Sequence, residues 1–152
     1  MLQQSIDDIL GTFYRQTLFA AYELKAHELA EAGTPITHET LSEIMVDLYK
    51  KFYDIDITTE NGKEYVWAYI PHLFYTPFYV YQYATSFSAS VALSQDILTG
   101  KEGAVENYLK FISSGSSEYP IELLKKTGVD MTSGTPIEKT IEAMNLYMDE
   151  VE

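Results

Sequence analysis

The sequence predicts an all-α fold: a multi-helix bundle with one long N-terminal helix and a buried central helix rich in tyrosine. Apolar residues recur at three- and four-residue intervals along most of the chain, and no segment alternates like a β-strand. Residues 65–95 carry no Asp, Glu, Lys or Arg, although 22% of the chain is charged. So long an uncharged run indicates burial on nearly every side or a lined cleft. Its tyrosines are compatible with either, because a buried phenol needs a hydrogen-bond partner, which a polar network in the core or a bound ligand in a cleft could supply.

The first two helices are predicted from their ends and their apolar stripes. One runs from about residue 5 to 32; Ser5 opens it with Asp8 three places on, and Gly33 ends it. Thr37 then caps a second helix. The stripes consist of Ile6, Ile9, Leu10, Phe13, Ala20 and Leu24 in the first helix and of Leu41, Ile44, Met45, Leu48 and Phe52 in the second.

Proline and glycine divide the middle of the chain. Residues 54–62 are predicted to be a polar connection with an Asn-Gly turn, and a short helix over 63–70 is stopped by Pro71. Residues 72–77 are predicted to be a loop, because a proline biases the residue before it away from helix. The central helix follows over 78–99. It is apolar on all sides, which is typical of a helix surrounded by others.

Three shorter helices complete the prediction. They cover residues 102–113, the stretch from Pro120 to Gly128, and the C-terminal stretch opened by a capping box of Thr135 and Glu138 with Pro136 at the first helical position. The chain has no internal repeat and no low-complexity segment. We therefore expect residues 1–152 to form a single helical domain.

The composition excludes several classes of protein. A net charge of −13 disfavours binding to nucleic acid, whose phosphates attract Lys and Arg, and binding to anionic membrane surfaces. No run reaches about 18 consecutive apolar residues, so we expect no membrane span. The N-terminus lacks the basic and apolar segments of a signal peptide, and the chain has no cysteine. We expect a cytoplasmic protein without disulfides or thiolate metal sites.

Two segments come close to a zinc-peptidase helix. In such a helix, two His four residues apart bind the metal, and a Glu between them acts as general base. One segment begins at His27 and reads HELAE; the other begins at His38 and reads HETLS. Neither offers the second imidazole, so we interpret both as solvated helix surface. We expect this chain alone to bind no zinc.

Arg15 and His72 are candidate site residues on chemical grounds. Arg15 is the only arginine; its guanidinium suits a bound carboxylate, and the alternative is an ion pair within the chain, for example with Glu23. His72 lies just before the tyrosine-rich helix, on which Tyr79 and Tyr83 share one side. An imidazole and phenols can hydrogen-bond an oxyanion as it forms. The alternative is a histidine bonded to backbone in a tight loop, with the tyrosines as core.

Several segments, spread over the chain, carry a family resemblance. They read GTFYRQTLFA from Gly11, IPH from Ile70, FYVYQYA from Phe78, GSS from Gly115 and GVDM from Gly128. In content and order they resemble oligoendopeptidase F, a bacterial zinc metallopeptidase of the thimet oligopeptidase group. The likeness covers essentially all 152 residues but only the C-terminal part of that family's catalytic domain. The family's HExxH helix and its third zinc ligand, a glutamate, belong upstream.

The resemblance implies one wall of a peptide channel and gives roles to particular residues. His72 and Tyr81 match the residues that hydrogen-bond the oxyanion, while zinc in the parent family activates the attacking water. Tyr79, Tyr75 and Arg15 are expected to bind substrate. The substrates would be short peptides, and the chain alone would be inert.

Three functions remain open from the sequence. In the first, the chain is a peptidase fragment whose partner is the missing N-terminal part of the enzyme. Alternatively, it is a non-catalytic module that holds peptides in a tyrosine-lined groove. The third alternative is a helical bundle that associates into a homo-oligomer through exposed apolar surface. Peptide titration tests the second function, and a mass that rises with concentration tests the third.

Overall fold

A computed structural model describes residues 2–151, and every regular element among them is helical, which confirms the all-α prediction. The long N-terminal helix consists of α1 (Leu2–Asp8), a π-helical stretch (Ile9–Tyr14) and α2 (Arg15–Glu31). Gly33 follows it, as predicted. Its φ is +75°, a value that glycine adopts without strain. The π-helical stretch was not predicted.

The remaining helices follow in the predicted order. They are α3 (His38–Tyr53), two 3₁₀ helices (Ile57–Thr59 and Lys63–Tyr69), α4 (His72–Tyr75), α5 (Tyr81–Leu98), α6 (Ala104–Ser113), α7 (Pro120–Lys126) and α8 (Thr135–Val151). Thr37 caps α3 as predicted, because its hydroxyl oxygen accepts from the backbone N–H of Thr40 at 3.3 Å. Pro120 occupies the first turn of α7, also as predicted. Helix α8 already includes Thr135, slightly earlier than its predicted cap implies.

The prediction was wrong where the chain enters α5. Residues 72–77 contain the single turn α4 instead of only loop, and α5 begins at Tyr81 rather than at Phe78. Phe78 explains the late start, because its φ of +57° is incompatible with a right-handed helix. A left-handed phenylalanine leaves no mark in the apolar periodicity, so the sequence extended the helix too far.

Residues 14–84 form one of two compact units. In this unit α3 packs against α2 and against both 3₁₀ helices. The indole N–H of Trp67 donates to the hydroxyl of Ser42 at 3.3 Å, which joins the second 3₁₀ helix to α3. The core of the unit contains Leu18, Phe19, Tyr22, Ile44, Met45, Ile57 and Val80.

Within the described chain, residues 2–13 and 85–151 form the other unit. Here α1 packs against α8, and α6 packs against α7. The buried core of this unit includes Ala89, Ala92 and Val129, bordered by Leu93, Leu124 and Met131. That the two units behave as a single domain over residues 1–152 stays a prediction.

Burial within the uncharged run divides by residue type. The prediction of a buried helix holds for one side of α5, where the buried side chains are Ala84, Ser88, Ala89 and Ala92. The tyrosines are more exposed: Tyr81 at the start of α5 is 49% exposed, and before the helix Tyr69 is 80% and Tyr75 is 84% exposed. The run is therefore not a closed core, and its phenols are accessible.

Between residues 2 and 151, no helix is both long and apolar enough to cross a bilayer.

Candidate functional site

Three rings gather where α4 meets the start of α5. The imidazole of His72 stacks on the ring of Tyr79, with centroids 5.2 Å apart and an interplanar angle of 6°. The ring of Tyr83 stands edge-on to both, 6.1 Å from His72 and 5.5 Å from Tyr79. We call His72, Tyr79 and Tyr83 the His72 cluster.

The local sequence explains how these rings meet. Pro71 precedes the single turn of α4, whose first residue is His72. Tyr79 lies two residues before α5, and Tyr83 lies in its first turn. The amide of Gln82 donates to the carbonyl of Tyr79 at 3.1 Å, so the chain already turns at Tyr79 and brings both phenols to the same imidazole.

The His72 cluster borders a cavity of about 360 Å³ within residues 14–84. His72 and Tyr83 line it together with Arg15 from α2. The remaining lining residues are Gln16, Phe19, Tyr49, Val66, Ile70 and Pro71. The structure thus brings two of the predicted site residues, Arg15 and His72, to one cavity.

The pKa of the Tyr83 phenol is raised above its ordinary value. Its hydrogen bond with Tyr79 is the main cause that raises the pKa of Tyr83, and loss of hydration adds to the effect. A neutral phenol keeps its O–H and can donate a hydrogen bond. The cavity therefore contains at least one phenol donor next to an imidazole.

Other predicted site residues lie in different surroundings. Tyr79 belongs to the cluster through its stack with His72. Tyr81 is the first residue of α5, about half exposed, and is not among the residues that line the cavity. Tyr75 ends α4 and is mostly exposed. The roles expected for Tyr81 and Tyr75 stay predictions.

Arg15 does not form the suggested pair with Glu23. The carboxylate of Glu23 instead accepts a hydrogen bond from the backbone N–H of Phe78 at 2.6 Å. Among residues 2–151, no ion pair joins Arg15 to an acidic side chain. Arg15 lines the cavity instead.

The sequence prediction missed Tyr83 and Glu23. The four-residue spacing of Tyr79 and Tyr83 was visible, and it is the signal that links Tyr83 to His72. No pattern pointed to Glu23, because its partner is a backbone amide 55 residues away.

The described residues do not fit a zinc site. No group of three or more His, Cys, Asp or Glu side chains within residues 2–151 is arranged to hold a metal. His27 Nδ1 lies 2.8 Å from the carbonyl oxygen of Glu23 in its own helix, and His38 lies beside Glu39 at the exposed start of α3. The face of the His72 ring stacks on Tyr79. The three imidazoles therefore have different neighbours.

The sequence and the helical fold have counterparts among known peptidases. The model of Peptidase family M3 matches residues 1–143. The chain belongs to peptidase family M3.

The relatives give a narrower comparison. Oligopeptidase PepF of Bacillus subtilis (strain 168) is 42% identical over 152 residues, which is 100% of this chain and 22% of that protein. An oligoendopeptidase F homolog of Borreliella burgdorferi is 41% identical over 146 residues, 96% of this chain and 25% of that protein. These matches confirm the resemblance to oligoendopeptidase F.

A solved structure agrees with the fold. The crystal structure of oligoendopeptidase-F from Enterococcus faecium superposes with a TM-score of 0.92 at 39% identity, covering 98% of this chain and 28% of that one. The chain spans about a quarter of the length of the relatives it matches.

Proposed function

We propose that this chain is the part of an oligoendopeptidase F-type metallopeptidase that lines the peptide site and supplies hydrogen bonds to the reacting carbonyl. The observation that carries the proposal is the His72 cluster at the edge of a cavity that also contains Arg15. Membership of a peptidase family supplies the class of reaction. In this reading the chain acts on short peptides only as part of the enzyme.

The chemistry follows from how an amide is hydrolysed. When water adds to the scissile carbonyl, its oxygen becomes an oxyanion, and donors already aimed at that oxygen lower the barrier. His72 offers an imidazole N–H, and Tyr83 offers a phenol O–H, which is protonated near neutral pH as in any tyrosine. Tyr81, for which the resemblance implies the same task, is the alternative phenol donor.

Arg15 has a separate task in the proposal. A guanidinium binds a carboxylate through two parallel hydrogen bonds. Because Arg15 lines the same cavity as His72, we assign it to the C-terminal carboxylate of a short peptide. Peptides with an amidated C-terminus should therefore bind more weakly than free acids.

Metal chemistry lies outside the tasks assigned to these residues. Zinc is implied by the resemblance, but residues 2–151 do not fit a zinc site. The proposal therefore gives this chain no metal ligand. Its residues bind the peptide, orient the carbonyl and donate hydrogen bonds.

A graft tests the proposal. The 152 residues of this chain replace the matching segment of Oligopeptidase PepF of Bacillus subtilis, since the match extends over the whole of this chain. We expect the graft to hydrolyse a short peptide and the isolated chain with added zinc to show no turnover. Tyr83→Phe should lower kcat about 100- to 1000-fold if Tyr83 is the phenol donor. If Tyr81 is the donor instead, Tyr81→Phe should cause that loss.

Controls separate catalysis from folding. Tyr69→Phe removes a phenol hydroxyl from an exposed ring outside the cavity and should leave kcat unchanged. A graft with native circular dichroism but no hydrolysis would contradict the proposal, as would turnover by the isolated chain.

Self-association is a second candidate function, favoured by one observation. An apolar cavity of about 650 Å³ lies between α5, α6 and α7, lined in part by Leu93, Ile97, Phe111 and Ile112. Exposed apolar surface of this kind promotes association. Light scattering should then give a mass that rises with concentration, and Ile112→Glu should abolish the rise. Leu24→Glu, at an exposed leucine of α2, is the control.

A further inference from the structure

We propose that Glu23 is a positioning residue: its buried carboxylate holds the left-handed turn at Phe78 and thereby sets the His72 cluster. The turn at Phe78 and the hydrogen bond to Glu23 are features of the structure and do not depend on the proposed function. The effect on catalysis rests on the proposed function. All the residues concerned lie within residues 14–84.

Glu23 is unusual because it is an acid inside the core. It is 3% exposed, on the same helix as the core residues Phe19 and Tyr22. No ion pair with Glu23 is found among residues 2–151. Its Oε1 accepts the backbone N–H of Phe78 at 2.6 Å. A buried carboxylate is costly unless it is hydrogen-bonded, so this contact is the feature that makes its burial tolerable.

The backbone of Phe78 is strained and needs a stabilising contact such as this hydrogen bond. Its φ of +57° is an outlier for a bulky residue, since Cβ then crowds the backbone. The side chain is held as well: its ring lies against His27, with centroids 4.6 Å apart. One turn of α2 thus holds both the amide of Phe78, through Glu23, and its ring, through His27.

The turn determines where the phenols point. Phe78 immediately precedes Tyr79, whose ring stacks on His72 at an interplanar angle of 6°. If Phe78 relaxed to a negative φ, the direction of the chain into α5 would change, and Tyr79 and Tyr83 would leave the imidazole. Strained backbone of this kind persists where the surroundings over-determine it, as they do at functional sites.

The first test uses the complete chain and needs no catalysis. Because the imidazole of His72 stacks on Tyr79, its Hε1 proton carries a ring-current shift that NMR measures; His72→Gln assigns the signal. Glu23→Ala should move this signal to the position of an unstacked imidazole. Glu23→Gln retains an acceptor oxygen and should restore most of the shift.

A second pair of variants tests the proposal even if Glu23→Ala alone does not fold. Phe78→Gly removes the strain, because glycine adopts positive φ freely. In that background Glu23→Ala should fold, by circular dichroism, and leave the His72 signal close to that of Phe78→Gly alone. An unshifted signal in folded Glu23→Ala would overturn the proposal, and so would loss of folding or of the stack in the double variant.

The graft then measures the catalytic consequence. Glu23→Ala should lower kcat up to about 100-fold with little change in KM, because the donors are displaced rather than the peptide excluded. Glu23→Gln should recover most of kcat. If the NMR shift is lost and kcat is unchanged, the positioning of the cluster stands and its catalytic role is refuted; if the shift is retained, the positioning itself is refuted.

Discussion

Asp96 is the clearest case in which a single residue links charge to stability. The residue is 8% exposed, and its carboxylate accepts hydrogen bonds from the ammonium groups of Lys101 and Lys139, each at 2.6 Å. Burial alone would raise the pKa of Asp96, but these bonds and charges together outweigh it and hold the pKa below the usual 3.8. The unfolded chain therefore binds this proton more readily than the folded chain does.

The sign of the pH dependence follows from that lowered pKa. The stabilisation by Asp96 is complete above the unfolded-state pKa and is lost as pH falls through the folded-state value. Asp96→Asn should lower the free energy of unfolding by about 1–3 kcal/mol at neutral pH. Urea denaturation should find that the difference in unfolding free energy between wild type and variant shrinks as the pH falls through and below the ordinary aspartate pKa of 3.8. A difference independent of pH would contradict the assignment.

Single residues also mark the limit of what sequence reasoning could find. His72 and Arg15 were predicted from residue chemistry and from motifs, and both line the cavity. The contact of Glu23 with Phe78 could not be predicted, because it depends on the φ of Phe78 and joins segments that are far apart in the sequence. The place of Tyr83 beside His72 was signalled by its four-residue spacing from Tyr79, and the structure confirms that the two rings meet.

At the scale of helices, the cap of α3 is a testable element. Thr37 has extended backbone, and its hydroxyl oxygen accepts from the N–H of Thr40, an amide without a partner inside the helix. Thr37→Ala should lower the free energy of unfolding by about 0.5–2 kcal/mol. Chemical denaturation measures this loss.

A matched variant decides whether the cap is responsible. Thr37→Ser keeps the hydroxyl and should retain nearly all of the stability. Equal losses for Ala and Ser would contradict the capping role and point instead to the packing of the threonine methyl group.

Helix ends were predictable where a residue type enforces them, and not elsewhere. Gly33, Thr37 and Pro120 act through their own backbone or side-chain chemistry, and the helices end or begin at them as predicted. The start of α5 was misplaced because an aromatic residue at positive φ is imposed by tertiary contacts. Apolar periodicity describes which faces are buried, and it does not register a reversed φ.

For the molecule as a whole, fold class and family were both within reach of the sequence. Helical periodicity predicted the all-α architecture, and motif order predicted the family that the comparisons confirm. The two compact units were beyond reach, since the boundaries at residues 13–14 and 84–85 fall inside helical segments with no linker composition. The sequence left the exposure of the tyrosines undecided, because an uncharged run suits both a core and a cleft.

The most direct test of this account is kcat for His72→Ala in the graft with Oligopeptidase PepF. If the imidazole donates to the oxyanion, kcat should fall about 100- to 1000-fold, while KM changes little and circular dichroism stays native. A folded variant whose kcat remains within about twofold of the parent graft would contradict the central claim, since a lost oxyanion donor costs far more.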